Sequence, residues 1–132
     1  MYNQDENWTF FSDIISGEFK RTVKKPTRKG RGNASFTNFN DRHIIFSGGY
    51  CPAESAYSSS VSIYSIEGDR WADVPAMNER RASHGTCIVA DYLYAACGDD
   101  GINYLNSVER INIRAITDGA PDIFWEVLTF YG

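Results

Sequence analysis

With 132 residues, 42% of them hydrophobic and 14% aromatic, the chain can bury the core of one modest domain and lacks a disordered composition. Its net charge of −4 hides an asymmetry: residues 1–31 carry seven Lys/Arg against four Asp/Glu, and residues 32–132 carry six against thirteen. No apolar run approaches the roughly 18 to 20 residues of a membrane span, and Asp5 and Glu6 ahead of Trp8 do not make a secretory leader.

Taken in chain order, Trp8-Thr9-Phe10-Phe11 predicts the closing strand of a sheet, followed by an expanded connection over residues 12–30. All seven cations of the first part fall between Lys20 and Arg31 (KRTVKKPTRKGR). Such a run can attract phosphate-rich partners. No aromatic interrupts it to stack on bases, and the acidic remainder repels a polyanion, so it is read as a solvated insertion and a nucleic-acid partner is not expected. Ala34 to Phe39 and His43 to Ser47 then form a predicted hairpin turning at Asn40-Asp41, and Gly48-Gly49 ends its second strand. A polar loop, Tyr50 to Ser59, leads to a strand at Val61 to Ser65; the turn Glu67-Gly68-Asp69 delivers Trp71 into an outer strand.

The same layout follows again. Thr86 to Val89 and Tyr92 to Ala96 flank Ala90-Asp91, and Leu105 to Ile113 and Phe124 to Leu128 supply two further strands. The near-continuous apolar runs predict strands covered on both faces, with Cys87 and Cys97 as inert buried packing. Three cysteines, an odd number without short metal-ligand spacing, fit reduced thiols in a cytoplasmic setting.

The two copies keep step. Gly48-Gly49 answers Cys97-Gly98, Ala34-Ser35 is matched with Ala82-Ser83, VSIYSI (Val61 to Ile66) with VERINI (Val108 to Ile113), and Trp71 with Trp125, all at separations near 50 residues. Over about residues 31–129 this pattern resembles the kelch-repeat family, whose blades carry glycine at the end of the second strand, an apolar third strand and a tryptophan opening the fourth. Cys97 stands where that motif has its first glycine. The resemblance implies an all-β fold: a partial kelch-type β-propeller of four-stranded antiparallel blades. Residues 1–30 would be the end of a preceding blade plus the basic insertion, 31–77 and 78–129 two blades, and 130–132 a tail. Trp71 and Trp125 are expected to fill the space between blades.

No hydrolase elbow, phosphate loop, zinc-binding helix or dinucleotide fingerprint is present, and His43 and His84 lack a third ligand at recognisable spacing. Neither catalysis nor a metal or cofactor is therefore expected. Copper oxidases with kelch-like blades, of the galactose-oxidase type, are the enzymatic alternative; a polyanion binder acting through Lys20 to Arg31 is another. Kelch-like proteins are best known as protein-binding modules, among them substrate receptors of ubiquitin ligases and actin-associated proteins, so the resemblance implies a noncatalytic module holding a protein or peptide, as adaptor or scaffold. It places the binding face on the loops before the first strand and after the glycine turn: Arg80, Arg81 and Ser83 at the first, Asp99, Asp100, Asn103 and Asn106 at the second, with Asn33 and Ser35 as first-copy counterparts. Arg81 is the expected central contact, able to fork onto a partner's carboxylate, or else to pair with Glu79 or Asp100 on the rim. Two blades cannot close a ring, so further blades in the parent chain, or self-association, are expected.

Overall fold

The computed structural model describes residues 32–128 throughout, and before them the backbone of Tyr2–Asn3 (β1), Trp8–Ser12 (β2) and Phe19–Lys24 (β3). These three form an antiparallel sheet in the order β1-β2-β3. The start of the basic run is thus a strand within the expanded connection expected over residues 12–30; Thr22 and Val23 are β-branched and suit an extended backbone. The rest of the run lies outside the described residues.

Ser35–Phe39 (β4), His43–Ser47 (β5), Val61–Ser65 (β8) and Arg70–Val74 (β9) make the first complete sheet, in the order β4-β5-β8-β9. The short pair Tyr50–Cys51 (β6) and Ala56–Tyr57 (β7) forms a ribbon in the loop between β5 and β8. Asn40 and Asp41, at φ 53° and 61°, supply the two left-handed residues that a tight hairpin matching strand twist requires. The second sheet is Gly85–Val89 (β10), Tyr92–Ala96 (β11), Val108–Asn112 (β12), then, after a helix at Ile113–Thr117 (α1), Glu126–Leu128 (β13). Both are four-stranded, antiparallel and connected in the same sequence, which is the blade layout.

The repeat is real, but its register differs from the sequence alignment ahead of the first strand. Gly32 bridges Tyr50 as Ala82 bridges Asp99, and Asn33 and Ser83 share φ 55°, so Asn33 corresponds to Ser83 and Ser35 to Gly85. At the glycine turns the match is conformational: Gly48 and Gly49 lie at φ 64° and 96°, Cys97 and Gly98 at 61° and 86°. A Cβ on Gly48 would stand 2.2 Å from the Arg81 carbonyl oxygen, so that turn is closed to any other residue. Cys97 takes up the same left-handed backbone in an exposed position.

Helix α1 interrupts the strand expected to run on to Ile113. Asn112 ends β12 and caps the helix, its Oδ1 accepting from the Ala115 N–H at 2.9 Å.

The core lies between the sheets. Ile45, Val61, Ile63, Val74 and Met77 from the first side meet Leu93, Ala95, Ile111, Ile113 and Trp125 from the second. Trp125 closes the outer end, its Nε1 donating to the Pro75 carbonyl at 2.7 Å. Trp71 is half-buried, its ring 5.1 Å from that of Tyr64. Strands β5 and β8 are buried on successive residues, hence on both faces, whereas β11 and β12 alternate. The second sheet therefore has one covered and one open face. Cys87 points to the open one and is exposed, and Cys97 is exposed at its turn, so the burial expected for both is overturned; Cys51 is the buried cysteine.

Candidate interaction face

The segment from Asn78 to His84 crosses from the first sheet to the second and is held by a carboxylate from below. Period-two alternation along β12 puts Glu109 on the same face as Ile111, against the core, and its side chain is fully buried. A charge there requires several donors. Glu109 Oε1 accepts from the Asn78 N–H at 2.6 Å, and Oε2 from the Glu79 N–H at 3.2 Å and from Arg81 Nη2 at 3.1 Å and Nε at 3.3 Å. Arg81 spends its remaining donors on the Cys97 and Ser107 carbonyls, at 2.9 and 3.0 Å, and on Ser107 Oγ at 2.8 Å.

This corrects the expected role of Arg81. Its exposure is 0%, and its fork grips Glu109 rather than a carboxylate of a partner. Its guanidinium fastens the two loops of the second blade to each other. Glu79 lies 3.8 Å away and Asp100 is not its partner.

The other selected residues gather at the same end of the strands. Arg80, Ser83, Asn33, Asn103 and Asn106 are exposed, and Asp99 and Asp100 are half-buried. The Ser83 N–H donates to the Asn33 carbonyl at 2.8 Å, joining the two blades' first loops. Asp99 pairs by its backbone with Ala82, at 2.9 and 3.0 Å, joining the second blade's two loops. Ser35 is turned away from this face: its hydroxyl contacts Thr86, which also contacts Thr37, where β4 meets β10.

The loop after the second turn is braced from within. The Leu105 N–H donates to the Gly98 carbonyl at 2.8 Å, and Asp100 Oδ1 accepts from the Ile102 and Asn103 N–H groups at 2.9 and 2.8 Å. Those two backbone donors hold the Asp100 carboxyl below its ordinary pKa. Gly101, at φ 95°, seats against Tyr57 of the neighbouring blade; a Cβ there would be 2.7 Å from the ring. The Asp99 charge, together with burial and a hydrogen bond from the phenol to Asp99, pushes the Tyr57 phenol above its usual pKa. Tyr57 and Tyr50 stand with ring centroids 5.1 Å apart.

His84 lies beneath this face, 9% exposed, with Nε2 2.9 Å from Ser47 Oγ. Burial first, then the Arg81 charge, pushes its imidazole down from 6.5 to about 4. Between those values the unfolded chain binds a proton that the native one refuses, so stability is steady above pH 6.5 and falls as pH drops toward 4. The expected loss is about 2 to 3 kcal/mol. Denaturant midpoints across that range should show it for the natural chain and show little of it for His84→Gln.

Sequence reasoning missed Glu109, His84 with Ser47, and the Tyr50–Tyr57 pair. A carboxylate in phase with Ile111 and Ile113 was a readable signal for the first; nothing local marked the others. Among the described residues no three His, Cys, Asp or Glu gather as a metal site, and no helix is long and apolar enough to cross a membrane.

The kelch motif matches residues 80–115, a segment that contains both Arg81 and Glu109. Over those residues the chain matches the kelch repeat that its sequence pattern resembles. Human Kelch-like protein 5 is 41% identical to it over 54 residues, 41% of this chain and 7% of that protein. Human Kelch-like protein 4 is 35% identical over 60 residues, 46% of this chain and 8% of that protein. The match thus spans less than a tenth of either relative's length. With the kelch match over the second of them, the two four-stranded sheets have the layout of blades of a partial kelch-type propeller.

Proposed function

We propose that this kelch-repeat chain is part of a noncatalytic interaction module that holds a protein or peptide partner, as adaptor or scaffold, on the loop end of its blades. The observation carrying this reading is the joining of both blades' loops into one face: Asn33 to Ser83 across the blades, and Ala82 to Asp99 within the second. Rigid strands beneath variable loops suit recognition. The exposed contacts of this face are Arg80, Ser83, Asn33, Asn103 and Asn106, with half-buried Asp100 beside them and Arg81 as their internal support. A noncatalytic role is supported by the placing of the histidines: His84 is packed on Ser47, and His43 bonds Asn40 in a turn.

Arg80→Ala and Asn103→Ala in the intact parent protein should each weaken the partner complex by about 1 to 3 kcal/mol if central to it. Arg42→Ala, in the turns at the other end of the strands, should leave it unchanged. Loss with Lys24→Ala and none with the loop variants would move the binding element to the basic segment. The open face of the second sheet belongs, on this reading, against another blade or another copy. Isolated chain should accordingly associate in light scattering, and a strictly monomeric soluble species at high concentration would remove that part.

A further inference from the structure

Ile102 and Tyr104 are 88% and 94% exposed, more than any other large hydrophobic residue described. They sit in a loop braced by its own hydrogen bonds and by Gly101 against Tyr57, so they are held out in water by a fixed backbone. Large apolar side chains presented this way on a polar loop are available for a partner to cover. Asp99 and Asp100 flank them, and the stretch from Gly98 to Ser107 contains no Lys or Arg. Arg81, the cation beneath, is spent on Glu109, Ser107 and the Cys97 carbonyl. Beside the loop stand the half-buried rings of Tyr50 and Tyr57, their centroids 5.1 Å apart.

Resting on the loop-face reading above, we propose that this loop docks a basic partner segment, with Ile102 and Tyr104 as apolar anchors and Asp99 and Asp100 facing its Lys or Arg side chains. The partner chemistry is the reverse of the acidic segment that an exposed Arg81 would have selected.

The probe is a random-peptide display library panned against the full chain. Enriched peptides should combine Lys/Arg with aliphatic or aromatic residues. Their affinity should fall about tenfold or more in Ile102→Ser/Tyr104→Ser, both surface positions that leave folding intact. It should also fall in Asp99→Asn/Asp100→Asn, which keeps the oxygens that accept the loop's N–H groups, and with added salt. Enrichment of acidic peptides, of no peptides, or of basic peptides that bind the Ile102→Ser/Tyr104→Ser variant equally well would overturn the proposal. Peptides insensitive to that variant but lost with Arg80→Ala would leave the loop-face reading standing. Peptides insensitive to every loop change would remove both.

Discussion

Arg81→Ala lowers the free energy of unfolding by about 3 to 5 kcal/mol, because it strands the fully buried Glu109 carboxylate without its cation. The Cys97 and Ser107 carbonyls and Ser107 Oγ lose donors in the same step. Exposed Arg80 makes no comparable contacts, and Arg80→Ala should stay within about 0.5 kcal/mol. Denaturant midpoints of the two variants decide the matter: equal, small losses would mean that Arg81 is a surface residue after all. Any weakening of partner binding by Arg81→Ala is then read through the loops that it fastens, which is why Arg80 and Asn103 are the better probes of direct contact.

Trp125→Ala should cost about 3 to 5 kcal/mol, as truncation of a large buried aromatic does. The ring is 6% exposed in the core between the sheets, and its Nε1 reaches Pro75 on the far side of the junction. Trp125→Phe keeps most of the apolar bulk and loses the hydrogen bond, so its cost should be smaller, with the lost bond itself worth about 1 kcal/mol. Trp71 occupies the equivalent repeat position but is only half-buried, its ring tilted against that of Tyr64. Trp71→Ala should fall below Trp125→Ala in the same urea titration; the opposite order would mean that the first blade, not the junction, limits stability.

What could be read from sequence was local. Asn40-Asp41 and Gly48-Gly49 declare their turns because their backbone conformations are rare for other residues. Strand β5 and strand β11 fell where apolar runs and turn residues put them. The failures share a different cause. Whether Cys87 is buried depends on what lies against the second sheet's outer face, and no residue in TCIV encodes that. Arg81 and Glu109 are 28 positions apart, so their union is invisible to any short window. The pre-strand alignment slipped because Ala-Ser recurs in both copies, while the true equivalence of Asn33 and Ser83 rests on a shared left-handed backbone. The resemblance placed Arg81 near the binding face, and geometry turned its side chain inward.

The same 28-residue separation has a consequence for synthesis on the ribosome. Arg81 leaves the exit tunnel while Glu109 is still inside it, and the chain emerging N-terminus first offers that guanidinium no buried acceptor. The first sheet can pair its strands by then, but its apolar residues Ile45, Ile63 and Val74 remain uncovered. Arrival of β12 delivers Glu109 together with Ile111, so one strand both neutralises the crossing segment and closes the core. Until then the nascent first blade carries a sticky face, and the interval before Glu109 emerges is when a chaperone has most to protect.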